Sequence, residues 1–172
     1  MRQGWWWMWL LLVPLAHAQG DPRVEPLQAR VLRVVDGDSL WVRAADGPPL
    51  RLRLQGMDAP EICQSHGPQA RDALERRLAR RTVSVKLLRK DSYDRWLARV
   101  NDSEGDVAAW MVAQGHAWSA RWQRQPGPYA PEEKAARQGR RGLFAQRQPE
   151  EPRAFRLRHG PCGLGPTPHP GP

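Results

Sequence analysis

The sequence predicts a small domain of the α+β class, mainly β, built as a closed barrel of five strands with about three helices. Apolar and polar residues alternate in residues 27–31, 40–42 and 50–54, which is the period-two pattern of strands. Between Gly67 and Leu78 the apolar residues instead recur on one face of a helix. Three strands, a helix and then further strands therefore follow one another along the chain.

Turn residues separate the first three strands, and two further strands follow the helix. Asp36-Gly37 is a hairpin signal after the first strand, and Asp46-Gly47-Pro48 follows the second. Alternation returns in residues 82–87 and, more briefly, in residues 97–100. These two segments supply the fourth and fifth strands.

Two more helices are predicted after the strands. One begins at Asp106, whose side chain is suited to cap the free N–H groups of a first turn, and ends at Gly115. The other begins at Pro131, with acids in its first turn and arginines near its end. Five strands with a helix after the third are typical of an OB-fold barrel, although a generic α+β domain has the same elements.

The two ends of the chain are predicted to lie outside this domain, which spans residues 27–145. Residues 1–18 combine an arginine, an apolar run and the small-residue pattern Ala16-His17-Ala18, so they predict a signal peptide cleaved after Ala18 and export to a periplasm or the medium. The apolar run is short for a membrane span, so no stable span is expected after processing, and an uncleaved anchor is the alternative interpretation. Residues 146–172 are rich in proline and glycine and are predicted to be disordered.

The chain has two cysteines, Cys63 and Cys162. An exported protein could join them in one disulfide, which would hold the tail beside the loop after Glu61. Free thiols and an intermolecular bridge are also compatible with the sequence. The sequence leaves this choice open.

The charge is strongly basic, with 27 Lys+Arg against 18 Asp+Glu and a sequence pI near 10.9. A polyanion such as nucleic acid would be attracted to such a chain. Almost all of the positive charge is arginine, so a bias in codon use explains the excess equally well. Charge alone therefore does not decide the function.

Three short charged segments stand out between residues 36 and 95. They are Asp36-Gly37-Asp38, the stretch from Arg53 to Glu61, and Tyr93-Asp94-Arg95. Their carboxylates suit a hard divalent cation, and their arginines suit a phosphate. Each residue alone would fit an ordinary turn or a solvated strand face, so the prediction of a catalytic site depends on the combination.

The order and spacing of these segments resemble the signature segments of the staphylococcal nuclease (thermonuclease) family. The likeness continues through residues 112–118 and 140–144, so it covers residues 27–145. It implies an OB-fold endonuclease, a metal-dependent phosphodiesterase that hydrolyses DNA, RNA or both with little sequence preference. It also implies cleavage on the 5′-oxygen side of the phosphate, which leaves 3′-phosphate ends.

The resemblance further implies a site for one calcium ion. Asp38 and Asp58 match the two carboxylate ligands of the family, and Ala59 matches the residue whose main-chain carbonyl completes the protein ligands. Ala59 replaces the threonine that is common there, but the ligand atom belongs to the main chain. Asp36 is expected to shape the turn and to support the metal site indirectly, without binding the ion itself.

Three residues match the catalytic groups of the family. Glu61 matches the carboxylate that acts as general base or orients the attacking water. Arg53 and Arg95 match the pair that holds the scissile phosphate and stabilises its extra charge in the transition state. A guanidinium suits that task because it stays protonated and presents forked donors.

Substrate contacts are expected from two aromatic residues. Tyr93 matches a phosphate-contacting tyrosine of the family, and Trp122 is the best candidate to stack on a base. Asp94 departs from the family pattern, because it adds a negative charge beside Arg95 where glycine is usual. The substrate is predicted to be single-stranded or frayed DNA or RNA, and the protein to be a monomer.

Two alternative functions fit parts of the sequence. A noncatalytic nucleic-acid-binding OB module would bind the same polymers without cutting them. A basic exported protein that binds anionic envelope polymers would show salt-sensitive binding without metal dependence. The presence of all five charged site residues favours the enzyme.

Overall fold

The structure is a computed structural model that describes residues 25–123, 125–160 and 162. The predicted signal peptide and the end of the predicted tail lie outside these residues. Within the described part of the chain, no helix has the length and apolar composition that crossing a bilayer requires.

Short strands and helices alternate along the chain. The strands are β1 (Leu27–Val34), β2 (Ser39–Ala44), β3 (Leu50–Leu54), β4 (Met57–Asp58), β5 (Thr82–Lys90), β6 (Trp96–Asp102), β7 (Gly105–Asp106) and β8 (Trp118–Ser119). The helices are α1 (Gly67–Leu78), α2 (Val107–Ala113), α3 (Ala130–Gln138) and α4 (Pro152–His159), with a 3-10 helix at Gly142–Ala145.

Five of the strands form one closed barrel, which confirms the predicted fold class. Antiparallel pairing joins them in the order β3, β2, β1, β5 and β6. Parallel pairing of β3 with β6 closes the barrel, with Leu52 opposite Trp96 and Leu54 opposite Ala98. A small second sheet pairs β4 with β8 and sets Asp58 opposite Trp118.

The alternation read from the sequence places apolar side chains inside the barrel. In β3, Leu52 and Leu54 are 0% and 1% exposed, while Arg51 and Arg53 between them remain partly exposed. Full burial of one such leucine stabilises the fold by about 1.5–3 kcal/mol. Helix α1 covers one end of the barrel with the buried Leu74.

The predicted start of α2 is confirmed in atomic detail. The carboxylate of Asp106 accepts hydrogen bonds from the N–H groups of Ala108 at 2.8 Å and Ala109 at 3.0 Å. Two N–H groups that the helix itself leaves free are thereby satisfied. After the helix, Gly115 adopts a φ of 72°, which suits a residue without a side chain.

The C-terminal segment corrects two predictions. Residues 152–159 form the fourth helix, α4, so the expectation of a disordered tail is wrong for them, and the folded part extends past residue 145. The helix starts with Pro152 and is followed by Gly160, which are ordinary start and stop signals. A disulfide joins Cys63 to Cys162 and decides the pairing that the sequence left open.

Candidate active site

Asp38 and Asp58 meet on the guanidinium of Arg53. Asp38 directly precedes β2, Asp58 ends β4, and Arg53 lies on β3 opposite Ser39. Arg53 Nη1 is 2.8 Å from Asp38 Oδ2, and Arg53 Nη2 is 2.7 Å from Asp58 Oδ1. Three residues predicted to form the site, from three different elements, are therefore in contact.

The turn between β1 and β2 holds Asp38 in place. Asp36 Oδ1 accepts a hydrogen bond from the N–H of Asp38 at 2.9 Å, and Ser39 Oγ donates to Asp38 Oδ1 at 2.8 Å. A Cβ at Gly37 would lie only 2.6 Å from the Cβ of Ala59, so the turn can approach Ala59 only because residue 37 is glycine. The contact of Asp36 agrees with its expected role in shaping the turn.

Burial changes the pKa values of the carboxylates in this group. Burial, with the nearby charge of Asp38, raises the pKa of Asp36 to about 7. Burial also raises the pKa of Asp58, although Arg53 opposes that change. Burial lowers the pKa of Arg53, but Asp38 and Asp58 outweigh this and raise it above its usual value. Asp38 and Asp58 both contact Arg53, Asp36 lies beside Asp38, and a further cation would relieve the repulsion among the three carboxylates.

The donor atoms fit a hard cation. Asp38 and Asp58 offer carboxylate oxygens, and the buried Ala59 lines the same cleft and has a main-chain carbonyl to offer. Across residues 25–123, 125–160 and 162, no three or more His, Cys, Asp or Glu side chains are grouped so as to hold a metal ion. Two carboxylates and one carbonyl are a smaller set, so a cation bound by them would keep several waters.

Arg95 lies at the same cleft and is held by Asp91. Arg95 Nε is 2.8 Å from Asp91 Oδ2, and Arg95 Nη1 donates to Ser39 Oγ at 3.2 Å. Ser39 in turn bonds to Asp38, so the second predicted arginine is one hydrogen-bonded residue away from the carboxylates. Both predicted arginines therefore reach the same region.

The loop before Arg95 explains the departure at Asp94. Asp94 adopts a φ of 58°, in the left-handed region where glycine is favoured. Its carboxylate is 2.6 Å from Lys90 Nζ, while Arg95 pairs with Asp91. The negative charge expected beside Arg95 is thus taken up by Lys90. Tyr93 is 73% exposed, and the Arg95 guanidinium lies 5.3 Å from its ring centroid.

Glu61 faces the cleft and contacts an arginine that the sequence did not indicate. Glu61 Oε1 is 2.6 Å from Arg156 Nη1, and the main-chain N–H of Glu61 donates to Gln64 Oε1 at 3.1 Å. Arg156 Nη2 also lies 3.5 Å from Asp58 Oδ2. The guanidinium of Arg156 therefore spans the carboxylates of Glu61 and Asp58.

One cleft of about 510 Å³ brings most of the predicted site together. Its walls include Asp38, Arg53, Ala59, Glu61, Tyr93, Arg95 and Arg156. Trp122 is 78% exposed and does not line this cleft, so the structure does not join it to the other predicted residues. The cleft is lined by both arginines and acids, a combination that suits hydrolysis of a phosphate ester.

The sequence contains a signal for the helix that carries Arg156, but no signal for the contact of Arg156 with Glu61. Pro152 and Gly160 bracket seven residues without another helix breaker, which is a signal for a short helix. The position of that helix depends on the disulfide, because Cys63 and Cys162 are separated by 99 residues. The contact with Glu61 follows from tertiary structure and not from a local pattern.

Comparison with known proteins identifies the family. Residues 51–146 match the family model described as "Staphylococcal nuclease homologue". The chain is 35% identical over 134 residues to an "Uncharacterized endonuclease" of Escherichia coli O157:H7, a match that covers 77% of this chain and 86% of that protein. It is 30% identical over 127 residues to an "Uncharacterized endonuclease" of Haemophilus influenzae, with 74% and 71% covered.

A plant protein is similar over a shorter region. The chain is 32% identical over 105 residues to the "Probable staphylococcal-like nuclease CAN4" of Oryza sativa subsp. japonica, which covers 61% of this chain and 21% of that longer protein. The matched region of the family model contains all of β3 but its first residue, all of β6 and the residues from Arg53 to Arg95. With its closed barrel and its bacterial relatives, the chain belongs to the family of staphylococcal nuclease homologues.

Proposed function

We propose that the protein is an exported, calcium-dependent endonuclease that hydrolyses phosphodiester bonds of DNA, RNA or both with little sequence preference. Membership in a nuclease family supports the reaction class. One observation carries the assignment, namely that charged side chains from separate elements converge on one cleft. Asp38, Arg53, Glu61 and Arg95 line the cleft, and Asp58 is joined to them by its contact with Arg53.

Asp38, Asp58 and the carbonyl of Ala59 would hold one calcium ion. A bound calcium ion would supply positive charge beside the phosphate and a coordinated water. Arg53 now contacts both carboxylates, so it would exchange these partners for the phosphate once their oxygens bind a cation. Burial raises the pKa values of Asp36 and Asp58, and a bound cation would favour the charged forms of both carboxylates, which supports this assignment.

Glu61 and the two arginines would carry out the remaining chemistry. Glu61 would orient the attacking water and accept its proton. The water oxygen would attack phosphorus as the bond to the 5′ oxygen breaks, and that oxygen would take a proton from solvent water and leave as a hydroxyl. The phosphate stays on the 3′ end. Arg53 and Arg95 would stabilise the charge that grows on the other phosphate oxygens.

The substrate we propose is single-stranded or frayed. Tyr93 is exposed at the cleft and could contact a phosphate or stack on a base, and neither contact requires a particular base. Trp122 is exposed away from the cleft, so it would contact a more distant nucleotide. The proposed catalytic groups all lie within one chain, so a monomer would suffice for the reaction.

Export is supported by two features of the chain. Residues 1–18 have the pattern of a signal peptide, with cleavage proposed after Ala18. The disulfide between Cys63 and Cys162 suits an oxidising compartment. Sequencing the N-terminus of the protein recovered from the periplasm or the medium tests this, and a cytoplasmic protein that retains residue 2 would contradict it.

Cleavage assays with one active-site variant test the enzyme. Purified protein is incubated with single-stranded DNA, duplex DNA and RNA, with calcium or with a chelator. We expect cleavage only with calcium, and a drop of about 10²- to 10⁴-fold for Glu61→Gln, because the loss of a general base has that size. Glu104→Gln is the matched control. Glu104 is an exposed glutamate, and among the described residues its side chain forms one ion pair, with Arg81.

The other outcomes identify the alternatives. Tight binding of these polymers without cleavage would indicate a noncatalytic OB module. Salt-sensitive binding to any polyanion, unaffected by calcium, would indicate a basic polymer-binding protein. If cleavage occurs, treatment with a phosphatase should convert the new 3′ ends to hydroxyls, and 5′-phosphate ends would contradict the proposed bond.

A further inference from the structure

The C-terminal segment, residues 146–160 and Cys162, lies along the loop that follows Glu61. Three successive loop residues contact it. Cys63 forms the disulfide with Cys162, and Gln64 Nε2 donates to the main-chain oxygen of Glu150 at 2.6 Å. Ser65 Oγ accepts a hydrogen bond from Gln146 Nε2 at 3.0 Å. These contacts hold the loop at three adjacent positions.

Arg156 extends this attachment to the carboxylate of Glu61. It projects from α4, and its Nη1 lies 2.6 Å from Glu61 Oε1. Its Nη2 lies 3.5 Å from Asp58 Oδ2, so one guanidinium spans the proposed general base and a proposed metal ligand. The side chains of Arg156 and Glu61 are 37% and 23% exposed, so water reaches both groups.

A glutamate that orients water needs such a support. Its side chain has several rotatable bonds, and a small displacement of a catalytic group costs a large factor in rate. In the described structure Arg156 takes Oε1, and no described protein group donates to Oε2. The pair therefore fixes the carboxylate and leaves one oxygen available to a water.

We propose that Arg156 is a positioning residue for Glu61, brought to the active site by α4 and by the disulfide between Cys63 and Cys162. This inference rests on the proposed function, because it assigns Arg156 a role in the same reaction. Arg156 acts through the glutamate and not on the substrate. Its loss should therefore lower kcat by about 10- to 100-fold and change KM little.

The test is a double-mutant cycle with Arg156→Gln and Glu61→Gln, measured as kcat and KM for single-stranded DNA with calcium. Arg156→Gln should lower kcat in the wild-type background and have no further effect when Glu61 is already glutamine. Arg156→Lys should keep part of the activity, because it retains the charge but not the forked donors. Arg153→Gln is the control, since Arg153 is an exposed arginine of the same helix.

A second measurement does not depend on activity. Hydrogen exchange at the amides of residues 61–65 should be faster in Arg156→Gln than in Arg153→Gln, and faster still in the double variant Cys63→Ser with Cys162→Ser. Hydrogen exchange at the amides of the barrel strands, recorded in the same experiment, shows whether each variant is folded. Unchanged exchange in this loop would mean that the C-terminal segment does not hold it, and would overturn the inference.

The kinetic outcomes separate this inference from the proposed function. If the wild-type protein does not cleave DNA, both the proposed function and the role of Arg156 are wrong. Cleavage by wild type, with Arg156→Gln equal to Arg153→Gln, would remove only the role of Arg156. A higher kcat in Arg156→Gln would show that Arg156 restrains Glu61 instead of positioning it. An equal loss in both Glu61 backgrounds would show that Arg156 does not act through the glutamate.

Discussion

Replacement of Arg53 with glutamine is predicted to move calcium binding and catalysis in opposite directions. The guanidinium now contacts both carboxylates that would bind the ion, so it competes with calcium for Asp38 and Asp58. The same guanidinium is proposed to hold the scissile phosphate. Its removal should therefore tighten calcium binding and slow cleavage.

The size of the competition follows from the geometry. Arg53 lies 2.8 Å from Asp38 and 2.7 Å from Asp58, and its side chain is 21% exposed. One such ion pair gains about 6 kcal/mol at this distance and an effective dielectric constant of about 20. Lost hydration offsets most of this gain, which leaves a net competition of about 1.4–2.8 kcal/mol. Calcium should then bind about 10- to 100-fold more tightly to Arg53→Gln.

Calorimetric titration with calcium measures the affinity, and single-turnover cleavage at saturating calcium measures the rate. The rate should fall by about 10²- to 10³-fold, which is typical for the loss of one donor to a transition-state oxyanion. Arg51→Gln removes the same charge from the same face of β3 and should change calcium affinity less. Calcium binding that is unchanged or weaker in Arg53→Gln would refute the competition.

Three further predictions test the fold and the substrate contacts. Asp102→Asn should reduce the free energy of unfolding in urea by about 3–5 kcal/mol, because it removes the charged partner of the buried Arg77 at 2.7 Å; a loss below about 1 kcal/mol would speak against that pair. Burial lowers the pKa of His116 from 6.5 to about 4, so the unfolded chain gains a proton first as the pH falls. Stability present above pH 6.5 should decline by about 2–3 kcal/mol between pH 6.5 and 4, and an equally steep decline in His116→Gln would assign it to other groups. Tyr93→Leu should raise KM for single-stranded DNA about tenfold and Trp122→Leu should raise it less, whereas the reverse order would place the main stacking contact outside the cleft.

The barrel could be predicted because its strands follow a local rule. Neighbouring residues of a strand point to opposite faces, so Leu52 and Leu54 are buried while Arg51 and Arg53 lie on the other face. The short ladder between β4 and β8 was not predicted, because two-residue strands are too brief to show a period. That ladder nevertheless helps to fix Asp58.

The candidate site could be predicted in its centre but not at its edge. Asp38, Arg53 and Asp58 belong to spaced segments whose residue types suit one chemistry, and they meet as the spacing suggests. The partner of Asp94 could not be predicted, since it depends on a left-handed backbone that turns the side chain toward Lys90. The path of the loop therefore decides which basic residue pairs with Asp94.

The closure of the barrel also bears on the position of the two arginines that we propose bind the phosphate. Arg53 is on β3 and Arg95 directly precedes β6, and these two strands form the parallel pair that closes the sheet. The parallel register sets Leu52 opposite Trp96 and Arg53 opposite Leu97, so Arg95 lies one residue before this ladder and both arginines line the same cleft. The pairing of β3 with β6 completes the core and also contributes to the proposed phosphate site. A substitution that disrupts this pairing should therefore impair folding and catalysis together.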